Sequence, residues 1–400
     1  MSFDRMWAEL APLGRDRDTG GYRRFAWTRE DAALREWFTG EAGGRGLSLT
    51  EDRAGNLWAW LGDPDADGPG LVLGSHLDSV PDGGAFDGPL GVVSALAALD
   101  RLRAEGWSPR RPVAIAVFAD EEGARFGVAC AGSRILTGGL DADRARALRD
   151  SDGTTMADAL AAAGRAPSAL GPDAEALRRV GRFVELHVEQ GKGLVDARDG
   201  TGAAVGVASA IWPHGRWRLD LAGRADHAGT TRLADRADPM LALADAIRTA
   251  RTSAERHRAL ATVGKLSVRP NGVNAIPSAV TAWLDARGPV AEDVRAVVAD
   301  VAAAAGVDPV EESWTPTTDF DPNLRDRLAT LLADPDGTPA PVLPTGAGHD
   351  AGILAAAGIP SAMLFVRNPT GVSHSPREHA EPDDCHRGVH ALARVLRELG

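Results

Sequence analysis

The segment LVLGSHLDSVPDGGAFDGPLGVVSALAAL covers residues 71–99. A short apolar run reaches Gly74, and His76, Asp78, Asp82 and Asp87 follow among glycines. An apolar helical pattern then occupies 89–105. Strand, loop and helix in that order are the step of an α/β sheet whose faces are both covered. Loops at the carboxyl ends of such strands are the usual place for chemistry. A loop that combines imidazole, carboxylates and glycine there points to a backbone folded tightly around a cation.

Outward from this segment, apolar runs at 112–119 and 182–188 predict two further strands, and 155–163 predicts a helix. From about residue 211 the pattern changes to a strand at 216–223, a helix at 238–256, strands at 262–268 and 279–286, a helix at 291–304 and a strand near 310–316. That βαββαβ order is a ferredoxin-like package. The α/β pattern then resumes, with a helix at 323–333, a Gly-rich turn and helix at 346–357, a strand at 361–366 and a helix at 385–399. The expected fold is therefore α/β, a mixed sheet flanked by helices and formed by 1–210 and 319–400, with 211–318 inserted as a second unit.

The 400 residues exceed what one core usually serves, which agrees with two units. A formal charge of -12 disfavours nucleic acid and anionic membranes as partners, since both need a positive surface. Lys192 and Lys265 are the only lysines; the remaining cations are arginines. No run of eighteen apolar residues and no signal-like N-terminal core are present, so a cytoplasmic location is expected. Cys130 and Cys385 lack metal-type spacing and are expected to be reduced and packed.

Three more strand ends carry chemistry. Asp120-Glu121-Glu122-Gly123 follows RPVAIAVFAD, and RFVELHVEQG delivers His187, Glu189 and Gln190. NPTGVSHSPREH delivers His374. His76, Asp87, Glu122, His187 and His374 thus all lie just beyond buried strands. Imidazole with carboxylate suits zinc, manganese, cobalt or nickel. One carboxylate bridging two ions, with two further ligands each, would account for all five residues. Asp78 stands two positions after His76, where its carboxylate could accept the other ring N–H and fix the tautomer. His349-Asp350 opens a helix, whose backbone N–H groups could hold a substrate anion. His214, His257, His379, His386 and His390 are expected to be surface or packing residues.

Together GSHLDSVPDGGAFDG, DEEGARFG, ELHVEQG, DHAGTT, NAIPSAV…LDAR and GVSHSPRE resemble the amidohydrolase branch of the M20 metallopeptidase family. That branch comprises N-carbamoyl-L-amino acid hydrolases, allantoate amidohydrolases and β-ureidopropionases. The resemblance implies one metal on His76, Asp87 and His187 and a second on Asp87, Glu122 and His374, with Asp87 as the bridge. It implies Glu121 as general base, and a cis peptide after Asp87. His187 stands where peptidases of the wider family carry a carboxylate, which favours a ureido-type hydrolase over an aminoacylase or dipeptidase. The inserted unit then becomes a lid and dimerisation domain. Its His227 would reach the neighbouring subunit's site and donate to the transition-state oxyanion, so a homodimer is expected.

By the same resemblance Asn274 and Arg287 hold the substrate carboxylate, and Gln190 contacts its amide. This chain departs from the branch after His227, where HAGTTRLADRADPM introduces Arg232 ahead of Arg236. A guanidinium there either meets a second anionic or carbonyl-rich group on the substrate or pairs with Asp235 or Asp238. The expected reaction is hydrolysis of a linear amide or ureido C–N bond in a small carboxylate, with allantoate or an N-carbamoyl-L-amino acid foremost. N-formyl or N-carbamoyl derivatives of an acidic amino acid such as glutamate are an alternative. A catalytically silent small-molecule-binding member is the alternative of another class.

Overall fold

All seven residues of strand Gly70–His76 are buried, as a strand covered on both faces requires. It pairs in parallel with Val113–Phe118 on one side and Val180–Val188 on the other. Val180–Val188 in turn pairs in parallel with Ser361–Val366. Four adjacent strands therefore point the same way, and the segments leaving them emerge at one edge of the sheet. The computed structural model describes residues 2–198, 200 and 202–400.

Antiparallel strands complete the sheet. Leu57–Leu61 pairs with Val113–Phe118, and Ser48–Glu51 lies outside it. On the far side Val205–Ile211 pairs with Ser361–Val366, and Thr318–Asp319 and Val342–Thr345 border it. The sequence pattern did not reveal Ser48–Glu51, Leu57–Leu61 or Val205–Ile211. Leu57–Leu61 reads LWAWL, without alternation, and Val205–Ile211 is built largely of small residues, so neither shows a period of two.

Helix Pro89–Ala104 starts with proline at its first position, where the missing N–H costs nothing. It is buried on almost every side, packed against the His76 strand and the amphipathic helix Pro382–Leu399. Leu71, Leu73, Val93, Leu96, Val184, Leu186, Val389 and Leu392 belong to this core. Burying each such side chain contributes roughly 1.5–3 kcal/mol. The turn and helix expected at 346–357 appear as a turn leading into helix Asp350–Ala356, preceded by the strand Val342–Thr345.

The chain divides into two compact units, Met1–Ser209 with Asp319–Gly400, and Ala210–Thr318. The second has strands His214–Ala222, Leu260–Arg269, Ala279–Arg287 and Val310–Thr315 in one antiparallel sheet. The Val310 strand and the Leu260 strand form the edges. Helices Pro239–His257 and Ala291–Ala305 pack on the sheet and on each other. Strict alternation in Ala279–Arg287 buries Val280, Ala282, Leu284 and Ala286 against them, leaving Trp283, Asp285 and Arg287 on the opposite face. Among the described residues no helix is long and apolar enough to cross a membrane.

Candidate metal centre

His76 is the last residue of its strand and His187 the last but one of the neighbouring strand, so parallel pairing brings the two imidazoles together. Their ring centroids are 5.8 Å apart. His76 Nδ1 lies 3.1 Å from the carbonyl oxygen of Asp78, and His187 Nδ1 lies 2.8 Å from that of Val188. A carbonyl only accepts, so both rings carry their proton on Nδ1 and present a lone pair at Nε2. Those two Nε2 atoms lie 3.4 and 3.1 Å from Asp87 Oδ1. Both are buried without a hydrogen-bond partner.

The other oxygen of Asp87 faces the opposite way. Its Oδ2 lies 3.4 Å from His374 Nε2, which is 3.5 Å from Glu122 Oε2. His76, Asp87 and His187 form one candidate ligand group, and Asp87, Glu122 and His374 another. A third grouping joins Glu185, His187 and His349. Two buried imidazole lone pairs aimed at a carboxylate are a donor set that a divalent cation completes, so the residues fit metal.

Local backbone explains the composition of these loops. Gly88 has φ +85°, and a Cβ there would sit 2.5 Å from His76 Cε1, so only glycine lets the chain turn beneath the imidazole. The peptide after Asp87 is not cis; among the described residues the cis bond is Arg269–Pro270. Gly88 makes the turn with a trans bond, correcting the expectation there. Asp120 and His374 both adopt positive φ, 52° and 53°, a left-handed conformation uncommon for non-glycine residues but more accessible to Asp and His than to most.

Asp78 does more than its expected role, in which its Oδ1, 3.4 Å from His76 Nδ1, faces the ring. Its carboxylate accepts the backbone N–H groups of Glu121 and Glu122 at 3.1 and 3.0 Å, and its carbonyl rather than its carboxylate is the nearer partner of His76. Asp78 therefore ties the His76 loop to the Glu121-Glu122 turn. Glu121 is buried, with Oε2 3.7 Å from His76 Nε2 and Oε1 accepting the thiol of Cys130 at 3.3 Å.

Burial raises the Glu121 pKa well above the usual carboxyl value, against the pull of His76. Glu122 is pushed up to about 7, first by burial and then by Asp87. Burial opposes ionisation of Asp87 too, but His187, His374 and His76 outweigh it and hold the pKa well below the usual range. His374 rises to about 9, because Asp87 and Glu122 overcome the opposing effect of burial.

Gln190 Nε2 donates to Asp87 Oδ2 at 2.8 Å, while its Oε1 is buried without a partner. The expected anion site at the helix after His349 is not available. Ala351 N donates to Glu185 Oε2, and the N–H groups of Gly352 and Ile353 are bonded to His349 O. The His349 imidazole is instead buried with both nitrogens unpartnered, its centroid 4.5 Å from that of His187.

Two supporting carboxylates escaped the sequence reading. Glu378 accepts the N–H groups of Phe86 and Asp87 on Oε1 and the Ser373 hydroxyl on Oε2. Glu185 accepts from Ser75 Oγ at 2.8 Å and from Ala351 N at 3.0 Å, joining the residue before His76 to the first turn of the helix after His349. The available signals were the glutamate in SPRE and the spacing of two between Glu185 and His187, which puts both on one face of a strand. Cys130 and Cys385 are free and buried. His214, His257, His379, His386 and His390 belong to none of the three ligand groups.

The remaining expected site residues lie in the second unit. His227 pairs with Ala275 in a two-residue ladder, and Ala228 N donates to Asn274 O at 2.9 Å, so His227 and Asn274 stand side by side. Gly229 N donates to His227 Nδ1 at 2.9 Å, which leaves the ring proton on Nε2. Arg287 is gripped by both oxygens of Asp285, at 2.8 and 2.6 Å. Arg232 pairs with Asp235 Oδ2 at 2.7 Å, so its guanidinium is engaged on its own loop. Arg236 bonds the carbonyls of Ala228 and Thr231 and so braces the His227 loop.

Comparison with known proteins places these residues in context. The model of Peptidase family M20/M25/M40 matches residues 72–398. The N-carbamoyl-L-amino acid amidohydrolase of Geobacillus stearothermophilus is 35% identical over 407 residues, covering 99% of this chain and 98% of its own. The allantoate amidohydrolase of Escherichia coli is 31% identical, covering 98% and 95%. The crystal structure of a hydantoinase/carbamoylase family amidase from Burkholderia vietnamiensis superposes with a TM-score of 0.88 at 29% identity, covering 100% and 97%.

Proposed function

Because the chain belongs to peptidase family M20/M25/M40, we propose that it hydrolyses a linear amide or ureido C–N bond in a small carboxylate-bearing substrate, of the N-carbamoyl-L-amino acid or allantoate type. The relatives of those two activities cover nearly its whole length. The single observation that carries the chemistry is the two-sided Asp87, with His76 and His187 on one oxygen and His374 on the other.

His76, Asp87 and His187 would hold one divalent ion, and Asp87, Glu122 and His374 a second. Zinc or manganese suits this set, and cobalt or nickel is compatible. When bound, the ions supply Lewis acidity to the attacking water and the scissile carbonyl. Glu121, buried beside His76, takes the proton of that water and returns it to the nitrogen that leaves as the C–N bond breaks.

Gln190 would meet the substrate amide, and His349, neutral and unpartnered, faces the same cluster of groups. Asn274 and Arg287 would bind the carboxylate, and His227, with its proton on Nε2, would donate to the oxyanion. That last role requires a homodimer if His227 serves a neighbouring subunit. Support for one is apolar surface on the second unit, where Leu260 and Leu266 are exposed on an edge strand and Met240, Leu241 and Ile247 on a helix. Arg232 could contact substrate only by leaving Asp235.

The test is a panel of allantoate, N-carbamoyl-L-amino acids, N-formyl-L-glutamate, an N-acetyl amino acid and a dipeptide with metal-loaded protein, reading ammonia, formate and amino acid release alongside metal content. Release of ammonia with bound metal supports the proposal. Dipeptide cleavage without ureide cleavage would favour a peptidase or aminoacylase, and metal or ligand binding with no turnover a silent binding protein.

A further inference from the structure

Lys192 stands at an unusual place for one of the two lysines in an acidic chain. It follows Gln190 by two residues, and Gln190 Nε2 lies 2.8 Å from Asp87 Oδ2 and 3.4 Å from His374 Nε2. Its aliphatic stem lies across Gly371: a Cβ there would be 2.6 Å from Lys192 Cγ and 3.0 Å from Cε. Gly371 has φ +64° and belongs to a turn that Asn368 holds through the N–H groups of Thr370 and Gly371 and the carbonyl of Val372. That turn runs directly into Ser373 and His374.

The lysine therefore rides on the loop that delivers a metal-ligand candidate, beside a residue that touches the shared carboxylate. It is exposed, and among the described residues no carboxylate pairs with its ammonium. The neighbouring Glu189 is already committed, since it accepts the N–H groups of Gly193 and Leu194. Arg232, the cation that the sequence offered for a second anionic group, is paired with Asp235. Arg377, three residues beyond His374, is the other cation in these loops without an ion pair among the described residues.

We propose that Lys192 is a specificity residue that pairs with a carboxylate on the substrate side chain, so that the favoured substrates are N-carbamoyl derivatives of acidic amino acids. This rests on the amidohydrolase reading above and narrows it. An ammonium on a packed stem keeps its charge within a small volume at the rim, where it attracts a flexible carboxylate that the surrounding acidic groups would otherwise repel. The interaction is partly exposed, so added salt weakens it.

The experiment compares N-carbamoyl-L-glutamate with N-carbamoyl-L-alanine on metal-loaded protein. Binding is measured by calorimetry in Glu121→Gln, which retains ligand, and turnover in the otherwise native chain. The expected result is a preference for the glutamate derivative, with the ratio of the two Kd values falling about two- to fivefold on Lys192→Gln and returning on Lys192→Arg. The preference should also shrink as sodium chloride rises. An unchanged ratio in Lys192→Gln, or a ratio lost in Arg377→Ala and kept in Lys192→Gln, overturns the assignment. If neither ligand is hydrolysed, the reaction class is wrong while the binding ratio still decides Lys192. Absence of binding by both ligands overturns both.

Discussion

Glu378 Oε1 accepts the backbone N–H of Asp87 at 3.0 Å across 291 residues of sequence. Its other oxygen accepts the hydroxyl of Ser373, next to His374. One buried carboxylate thus joins the loop carrying the shared ligand to the loop carrying His374. Replacing Glu378 with Ala removes the acceptor of the Phe86 and Asp87 amides and of the Ser373 hydroxyl, so the link between the two loops is lost. Metal affinity is expected to fall about 10–100-fold, as for other residues that orient ligands. Equilibrium dialysis against a competing chelator measures this, and unchanged affinity would show that the clamp is idle.

Glu121→Gln keeps the shape of the side chain and removes the base. Turnover should fall by roughly two to four orders of magnitude, with metal content retained. Loss of metal with Glu121→Gln, and its retention with Glu122→Gln, would mean that the two glutamates have been assigned each other's roles.

If His227 serves the neighbouring subunit, two inactive variants should rescue each other. In a hybrid dimer of His227→Ala and Glu121→Gln, both defects fall on one site and the other is intact. Random exchange makes half of the dimers hybrids, so about a quarter of native activity returns on mixing. Subunit exchange must be followed independently, for instance by mass-tagged chains. Exchange without any return of activity would place His227 at its own chain's site or at none.

Asp52 is buried and accepts hydrogen bonds from Ala54 N, Asn56 N, Asn56 Nδ2 and Trp58 Nε1. Burial nevertheless prevails and raises its pKa from 3.8 to about 6. The folded state then binds the proton more tightly than the unfolded chain. This group's stabilising contribution is complete below about pH 4 and is lost as pH rises through about 6. The difference amounts to about 3 kcal/mol. Denaturant melts of native protein and Asp52→Asn, compared between pH 4 and 7, should differ by that slope whatever the variant's absolute stability. Parallel pH profiles would show that Asp52 titrates normally.

Much of the architecture and the candidate ligand groups could be read along the chain because the relevant physics is local. A buried parallel strand has to be a continuous apolar run, a loop around a cation has to be short, acidic and glycine-rich, and the βαββαβ unit writes its order in hydrophobic period. His76, Asp87, Glu122, His187 and His374 are legible for that reason: each lies at or beyond the carboxyl end of one of four buried strands. The edge strand Ser48–Glu51 and its neighbour Leu57–Leu61 were not, since neither alternates and the pair takes its place in the sheet from the contact of Leu57–Leu61 with Val113–Phe118.

Partner choice among polar groups was settled in three dimensions. The candidates for Arg232 included a substrate, Asp235 and Asp238, and loop geometry selects Asp235. The Asp78 carboxylate, 3.4 Å from His76 Nδ1, also accepts two backbone amides of the Glu121-Glu122 turn, partners that its spacing from His76 does not announce. Glu378 and Glu185 look like ordinary charged residues until folding brings Asp87 and Ala351 to them. Hydrophobic burial depends on a repeating pattern that sequence carries directly. A hydrogen bond requires its donor and acceptor about 3 Å apart and aligned, a condition that here links residues hundreds of positions apart and exists only once the strands have packed in register.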